Sequence, residues 1–101
     1  MYTKSQIEKA IELKVFGSNI GIWRIGLTHD LRERYEHWKD TESLKDPDWF
    51  DWEADSLFDA QAIEADFIKK GMQGGTGGNL SASKTVYVYI FVQGAGPDFR
   101  R

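Results

Sequence analysis

The sequence predicts a small α+β domain in which three helices pack on a mostly antiparallel sheet of about three strands. Three segments begin with helix-capping signals and carry apolar residues at helical spacing. Two others, residues 20–27 and 85–92, have the alternating or continuous apolar pattern of strands. A chain of 101 residues suffices for one modest hydrophobic core. We therefore expect a single α/β sandwich over residues 1–101.

Capping residues set the expected helix bounds. A capping box formed by Thr3 and Gln6, or alternatively by Ser5 and Glu8, predicts a first helix over residues 5–15. Asp30 is placed to cap a second. Ser56 is placed to cap a third helix, which would run to Lys70 and end at Gly71 because glycine is favoured just after a helix. Each helix carries an apolar face, which predicts that all three pack against the sheet.

The remaining segments are predicted to be one buried strand and several loops. Residues 85–92 are apolar on both faces, which predicts a central strand covered on both sides. Residues 39–55 show neither period and predict a long acidic, aromatic loop folded over the core or over a cleft. Residues 74–78 are rich in glycine and predict a close turn, and residues 94–101 predict a loose tail.

The composition limits the function classes. The net charge is −3, but residues 40–59 hold eight acidic side chains against one lysine, a net of −7, so the rest of the chain carries +4. A basic face for phosphate is therefore compatible with the sequence. The absence of cysteine excludes disulfides and thiolate metal sites and favours a reducing cytoplasm. No apolar run is long enough for a transmembrane helix, so we expect no membrane partner.

A short motif links three polar residues across the chain. Arg24-Ile25-Gly26 ends the first strand, Arg34 follows ten residues later on the second helix, and Glu64 lies on the third. This spacing resembles the second half of the GIY-YIG nuclease core. The glycine-rich loop and aromatic last strand also resemble a small bacterial and phage group of GIY-YIG-like proteins. Together these similarities cover most of the chain.

The motif departs from the family in its first half. Arg24 stands where the family has a tyrosine, and the family's two motif strands pair through a hairpin for which this sequence leaves no room. If the fold is related, the first strand would come from the C-terminal strand, with Tyr87 or Tyr89 supplying the tyrosine. The resemblance then implies a circularly rearranged core.

The resemblance implies a metal-dependent endonuclease that hydrolyses DNA. Glu64 would hold Mg²⁺, or Mn²⁺ in its place, and Arg34 would neutralise the scissile phosphate with help from Arg24. Tyr87 or Tyr89 would position or deprotonate water.

The residues themselves leave alternatives open. Glu64 projects from an apolar helix face, which is costly unless it binds a metal, pairs with Arg34 or reaches solvent. Arg32 would contact phosphate or form an ordinary i, i+4 pair with Glu36. His29 and His37 are candidate proton shuttles or surface residues.

A second function class is a binding module that keeps the fold without catalysis. Trp49 and Trp52 lie in the acidic aromatic segment, where they would meet a protein partner. A third interpretation is a structural domain in which Arg34 and Glu64 form a buried ion pair.

Overall fold

A computed structural model describes residues 1–41, 48–75 and 80–93. Within these ranges the elements are listed here in chain order: α1 (Lys4–Val15), a 3-10 turn (Ile20–Ile22), β1 (Trp23–Thr28), α2 (Leu31–Thr41), β2 (Trp49–Glu53), α3 (Leu57–Lys69) and β3 (Tyr87–Val92). Three helices on a three-strand antiparallel sheet confirm the predicted α+β fold. None of the described helices combines the length and apolarity needed to cross a bilayer.

The last strand of the chain is the middle strand of the sheet. The strand order is β1-β3-β2, and β3 is antiparallel to both neighbours. Gly26 of β1 lies opposite Tyr89, and Asp51 of β2 lies on the other side of Tyr89. Ile90 and Phe91 have no exposed surface, which confirms the prediction of a strand covered on both faces.

Helices cover both faces of the sheet. Buried side chains of α1 and α3, including Ile7 and Phe67, share one core with Val88 and Ile90 of β3. Tyr89 and its strand neighbour at 91 face the other way because side chains alternate along a strand. There Trp38 of α2 packs on the Phe91 ring at 5.4 Å. The result is a sandwich of α1 and α3, the sheet, and α2.

The predicted caps are present at all three helices. The Thr3 side chain accepts a hydrogen bond from the Gln6 backbone in a full capping box, so α1 begins at Lys4. Asp30 accepts from the backbone of residue 33 at 3.0 Å, and Ser56 accepts from that of residue 59 at 3.0 Å. Gly71 follows α3 with a φ of 120°, a conformation that favours glycine.

The predicted loop over residues 39–55 is wrong where the structure describes it. Helix α2 continues to Thr41, and residues 49–53 form strand β2, while 42–47 lie outside the described residues. Trp49 packs on the α2 side of the sheet, whereas Phe50 and Trp52 pack against the α1 and α3 core. Phe50, Asp51, Trp52 and Glu53 do alternate apolar and polar side chains, but four residues are too short a run to identify a strand from the sequence.

The chain after α3 returns along the free edge of β1. Gln73 donates its backbone N–H to Trp23 O and accepts from Ile25 N, both at 2.9 Å. A methyl group on Gly74 would lie 2.8 Å from a side-chain carbon of Ile68, so glycine permits this close approach. Of the expected turn over residues 74–78 the structure describes only Gly74 and Gly75, which belong to no regular element; residues 76–79 and the expected tail at 94–101 lie outside the described residues.

Candidate functional site

A cleft of about 280 Å³ opens where β1, α2 and α3 meet. Its polar lining comes from Arg24, Arg34, Glu64 and Tyr89, and its remaining walls are formed by Ile25, Gly26, Leu27, Trp38, Gly75 and Leu80. The four polar residues come from four different elements, namely β1, α2, α3 and β3. All four were selected from the sequence as candidate site residues, and the fold brings them to one place.

Two contacts hold the Arg24 side chain, one with Trp38 and one with Gln93. The central carbon of its guanidinium lies 4.6 Å from the centre of the Trp38 ring, within the range of a cation–π contact. Its Nη1 donates a hydrogen bond to Gln93 Oε1 at 3.4 Å. Within the described part of the chain it has no salt bridge to a carboxylate. Its positive charge is therefore available to a ligand in the cleft.

Arg34 presents an unsatisfied donor. Its Nε atom is buried and has no hydrogen-bond partner among residues 1–41, 48–75 and 80–93. The nearest carboxylate oxygen in an ion pair, Oε1 of Glu33, is 3.8 Å away, which is too long for a hydrogen bond. A buried donor without a partner is costly, so a ligand that accepts from Arg34 would gain binding energy there.

Glu64 provides a carboxyl group from α3. It is half-buried, and this desolvation raises its pKa to about 7, although the positive charge of Arg24 acts in the opposite direction. The ion pair with Arg34 that one interpretation of the sequence required is not among the salt bridges of the described residues. Near neutral pH the carboxyl group is thus close to the midpoint of its titration.

Tyr89 places its phenol at the base of the cleft. It is only 3% exposed, and its hydroxyl accepts a hydrogen bond from Trp38 Nε1 at 2.9 Å. Burial raises the pKa of Tyr89, an effect that outweighs the opposing influences of Trp38 and the two arginines. Gly26 makes room for the ring, because a Cβ at that position would overlap the Tyr89 hydroxyl.

Other candidates from the sequence lie outside the cleft. Tyr87 and the exposed Arg32 do not line it. His37 is exposed and packs edge-on against Trp38, with ring centres 5.2 Å apart. His29 bridges two backbone groups, since its Nδ1 lies 2.7 Å from Thr85 O and its Nε2 accepts from the backbone N–H of residue 81 at 2.8 Å.

The two tryptophans proposed for a protein partner are packed within the fold. The Trp49 ring stacks on Tyr89, with centres 4.7 Å apart and planes 6° apart, and Tyr35 meets it edge-on. Trp52 is half-buried against the core. Neither is among the large apolar side chains that the described surface exposes most.

Sequence reasoning missed Trp38 as a site residue. Its spacing from Leu31 and Tyr35 fits an apolar stripe facing the core, so the sequence predicted a packing role. Trp38 also lies four residues after Arg34, which places both on one face of α2. That second spacing was the available signal.

Comparison with protein families, curated proteins and solved structures finds no match. Within the described ranges no three His, Cys, Asp or Glu side chains lie close enough together to hold a metal ion between them. The chemistry available is that of two guanidinium groups, one phenol and one carboxyl group with a pKa near neutrality.

Proposed function

We propose that this cleft binds a phosphodiester of DNA and hydrolyses it with the aid of a divalent metal ion, in the manner of a GIY-YIG endonuclease. The observation that carries the proposal is the convergence of Arg24, Arg34, Glu64 and Tyr89 on one cleft. The resemblance selected these residues from the sequence. The antiparallel pairing of β1 with the C-terminal strand, with Gly26 opposite Tyr89, also supports the proposed circular rearrangement.

The two arginines suit a phosphate ligand. A guanidinium group offers planar, paired donors that match phosphate oxygens and stays charged at any physiological pH. The buried Nε–H group of Arg34 has no acceptor among the described residues. Arg24 lies over the Trp38 ring and forms no salt bridge with a described carboxylate. A phosphate between them would satisfy the first and neutralise part of both charges.

The donor set fits a magnesium ion that is shared with substrate. Glu64 is the one carboxylate among the described cleft residues, and magnesium is often held by one or two carboxylates together with substrate phosphate and water. Glu64 would hold the ion, and Mn²⁺ would be accepted by the same oxygen ligands. When bound, the ion would offset the negative charge that develops on the phosphoryl oxygens.

Tyr89 suits positioning better than proton abstraction. Because its pKa is raised, the phenol stays protonated at neutral pH and cannot serve as a ready phenolate base. It can instead orient water or a phosphate oxygen through its hydroxyl group. Arg34 would stabilise the charged phosphate, and Arg24 would assist from β1.

The test compares DNA cleavage by the wild type and by Glu64→Gln. Plasmid and short duplex DNA would be incubated with Mg²⁺ or Mn²⁺ after circular dichroism shows that both proteins are folded. We expect cleavage by the wild type and a loss of at least a hundredfold in the variant. Glu12→Gln is a matched control, because Glu12 lies on the exposed side of α1 and pairs with Lys70. Failure of the folded wild type to cut either substrate with either ion would rule out this function for these DNAs.

A second function is phosphate or nucleic-acid binding without catalysis. It is favoured by the single carboxylate of the described cleft and by Arg24 at the position where the resemblance expects a tyrosine. This function predicts that folded wild-type protein binds DNA through Arg24 and Arg34 and that Glu64→Gln does not weaken that binding. The same preparations tested for cleavage would decide between the two.

A further inference from the structure

Trp38 contacts two of the polar cleft residues at once. Its indole N–H donates to Tyr89 Oη at 2.9 Å, and its ring carries the Arg24 guanidinium at 4.6 Å. The ring is held in turn by Phe91, at 5.4 Å between centres, and by the edge-on contact with His37. Trp38 therefore links α2 to both β1 and β3 at the site.

The hydrogen bond from Trp38 decides what the Tyr89 hydroxyl can offer. An indole N–H can only donate, so the phenolic oxygen must be the acceptor in this pair. The hydroxyl hydrogen of Tyr89 is then left for another acceptor, and none of the described residues accepts it. Burial keeps the phenol protonated by raising its pKa. Since Tyr89 lines the cleft, that hydrogen is available to a ligand.

The same cleft holds two further sets of donors. The Arg24 guanidinium lies over the Trp38 ring, and one of its N–H groups donates to Gln93 while the others have no carboxylate partner among the described residues. Arg34 contributes a buried Nε without a partner in the described chain. The phenol and the two guanidinium groups thus form a donor array suited to an oxyanion.

We infer that Trp38 is a positioning residue, which turns the Tyr89 hydroxyl into a hydrogen-bond donor for a phosphate oxygen and holds Arg24 beside it. The inference rests on the proposed function for the choice of a phosphodiester as ligand. It adds that Trp38, although it lines the cleft, acts on the ligand through Tyr89 and Arg24.

The test uses the dinucleotide d(TpT), which contains one phosphodiester, as the probe. Binding to the full chain would be followed by NMR through the indole N–H resonances of the four tryptophans. The variants are Trp38→Phe, which keeps a ring beneath Arg24 but loses the N–H donor, Tyr89→Phe, and the two combined. Trp23→Phe is the matched control, because it also loses an indole hydrogen bond, to Ser18 Oγ at 3.0 Å, outside the cleft.

We expect each cleft variant to bind d(TpT) about tenfold more weakly, as is typical for loss of one hydrogen bond to a charged group. The double variant should bind no more weakly than Tyr89→Phe alone, because Trp38 acts through the hydroxyl that this variant already lacks. Trp23→Phe should bind as the wild type does. In Tyr89→Phe the Trp38 indole resonance should shift, since its acceptor is gone.

Three results would overturn the inference. The first is that Trp38→Phe binds d(TpT) as tightly as the wild type while Tyr89→Phe binds it more weakly. The second is that the two losses of affinity add in the double variant, and the third is that the wild type does not bind d(TpT). If Trp38→Phe does not fold, the Tyr89→Phe variant decides alone, because unchanged affinity or an unshifted Trp38 resonance contradicts the proposed hydrogen bonding. Binding without DNA cleavage would leave this inference intact and overturn only the nuclease proposal.

Discussion

Glu64 carries its carboxyl group on the face of α3 that it shares with Ala60 and Phe67, both of which are buried. An unpaired, half-buried carboxylate opposes folding, because burial disfavours its charged form. A residue kept for stability alone would be better replaced by an uncharged one. The placement is thus the kind of local cost that accompanies a functional site.

Replacement of Glu64 by glutamine should stabilise the protein at alkaline pH. The pKa of Glu64 is raised from 4.5 to about 7 on folding, so the native state binds more protons than the unfolded state between these values. Wild-type stability should fall as pH rises through this window. Allowing for solvent screening of a half-exposed group, we expect Glu64→Gln to be more stable than wild type by about 1–2 kcal/mol at pH 8 and equal at pH 4.

Urea unfolding at the two pH values, without metal ions, measures this difference. Glu12→Gln should show no such pH-dependent gain, because its carboxylate lies on the exposed side of α1. A Glu64→Gln protein less stable than wild type at pH 8 would indicate a stabilising ion pair and contradict the burial argument.

Gly26 should be intolerant of a methyl group. A Cβ there would overlap the Tyr89 hydroxyl and ring, and Tyr89 is buried and cannot move aside freely. We expect Gly26→Ala to destabilise the fold by about 1–3 kcal/mol, the usual cost of overpacking. Gly75→Ala is the control on the same cleft, since its Cβ would lie 3.6 Å from Arg24 Nη2, an ordinary contact. Equal melting temperatures of the two variants would refute the steric explanation.

At the scale of elements, the predictions succeeded where the signals were local. Thr3, Asp30 and Ser56 cap the three helices as their side-chain chemistry predicts. The sequence did not predict β2, whose alternating run is only four residues long, or the 3-10 turn at residues 20–22, which is held by Asn19. β2 depends on its pairing with the distant strand β3, which no local pattern encodes, whereas the turn rests on a local cap by Asn19 that the alternating apolar pattern hid.

The candidate site was predicted only in part. Arg24, Arg34 and Glu64 followed from the resemblance, but the choice of Tyr89 over Tyr87 required the register of β3. The role of His29 was also beyond the sequence, since its partners lie 52 and 56 residues away.

The His29 ring should act as a clamp between the β1–α2 turn and the segment before β3. With its hydrogen on Nδ1 it donates to Thr85 O and accepts from Ser81 N, so both backbone groups are satisfied. His29→Ala leaves them without these partners, and we expect a loss of about 1–3 kcal/mol in stability. Amide hydrogen exchange at residue 81 should accelerate, and the neighbouring cleft wall at Leu80 should loosen.

His37→Ala provides the comparison for this clamp. His37 is exposed, and the edge-on contact with Trp38 is the one ring contact it makes within the described residues, so its removal should change stability little. Unchanged exchange at residue 81 in His29→Ala would show that other contacts hold this segment.

At the scale of the whole molecule, four segments distant in sequence supply one cleft. β3 closes the sheet last along the chain, yet it lies in the middle and brings Tyr89 beside β1. The cleft is therefore complete only when β1 has paired with β3. Sequence separation of this size also explains why spacing alone could suggest the members of the site and not their arrangement.

If the cleft binds DNA as proposed, the charge distribution predicts a weak electrostatic attraction that is confined to the cleft. The chain has a net charge of −3, with its acidity concentrated in residues 40–59, so a broad basic surface is not expected. Binding should depend on Arg24 and Arg34, which line the cleft, and not on the exposed Arg32. For about two phosphate contacts, the slope of log affinity against log salt should be about −1.8 on duplex DNA, since each contact contributes about 0.9.

Fluorescence anisotropy measures this slope with a labelled DNA duplex. The KCl concentration would be varied about fourfold, from about 50 to about 200 mM. Arg24→Ala or Arg34→Ala should each reduce its magnitude by about 0.9, and Arg32→Ala should leave it unchanged. A much steeper wild-type slope would require basic residues beyond the cleft. A reduction in Arg32→Ala equal to that in Arg34→Ala would move the contact surface from the cleft to the outer face of α2, because only the cleft geometry distinguishes these two arginines of one helix.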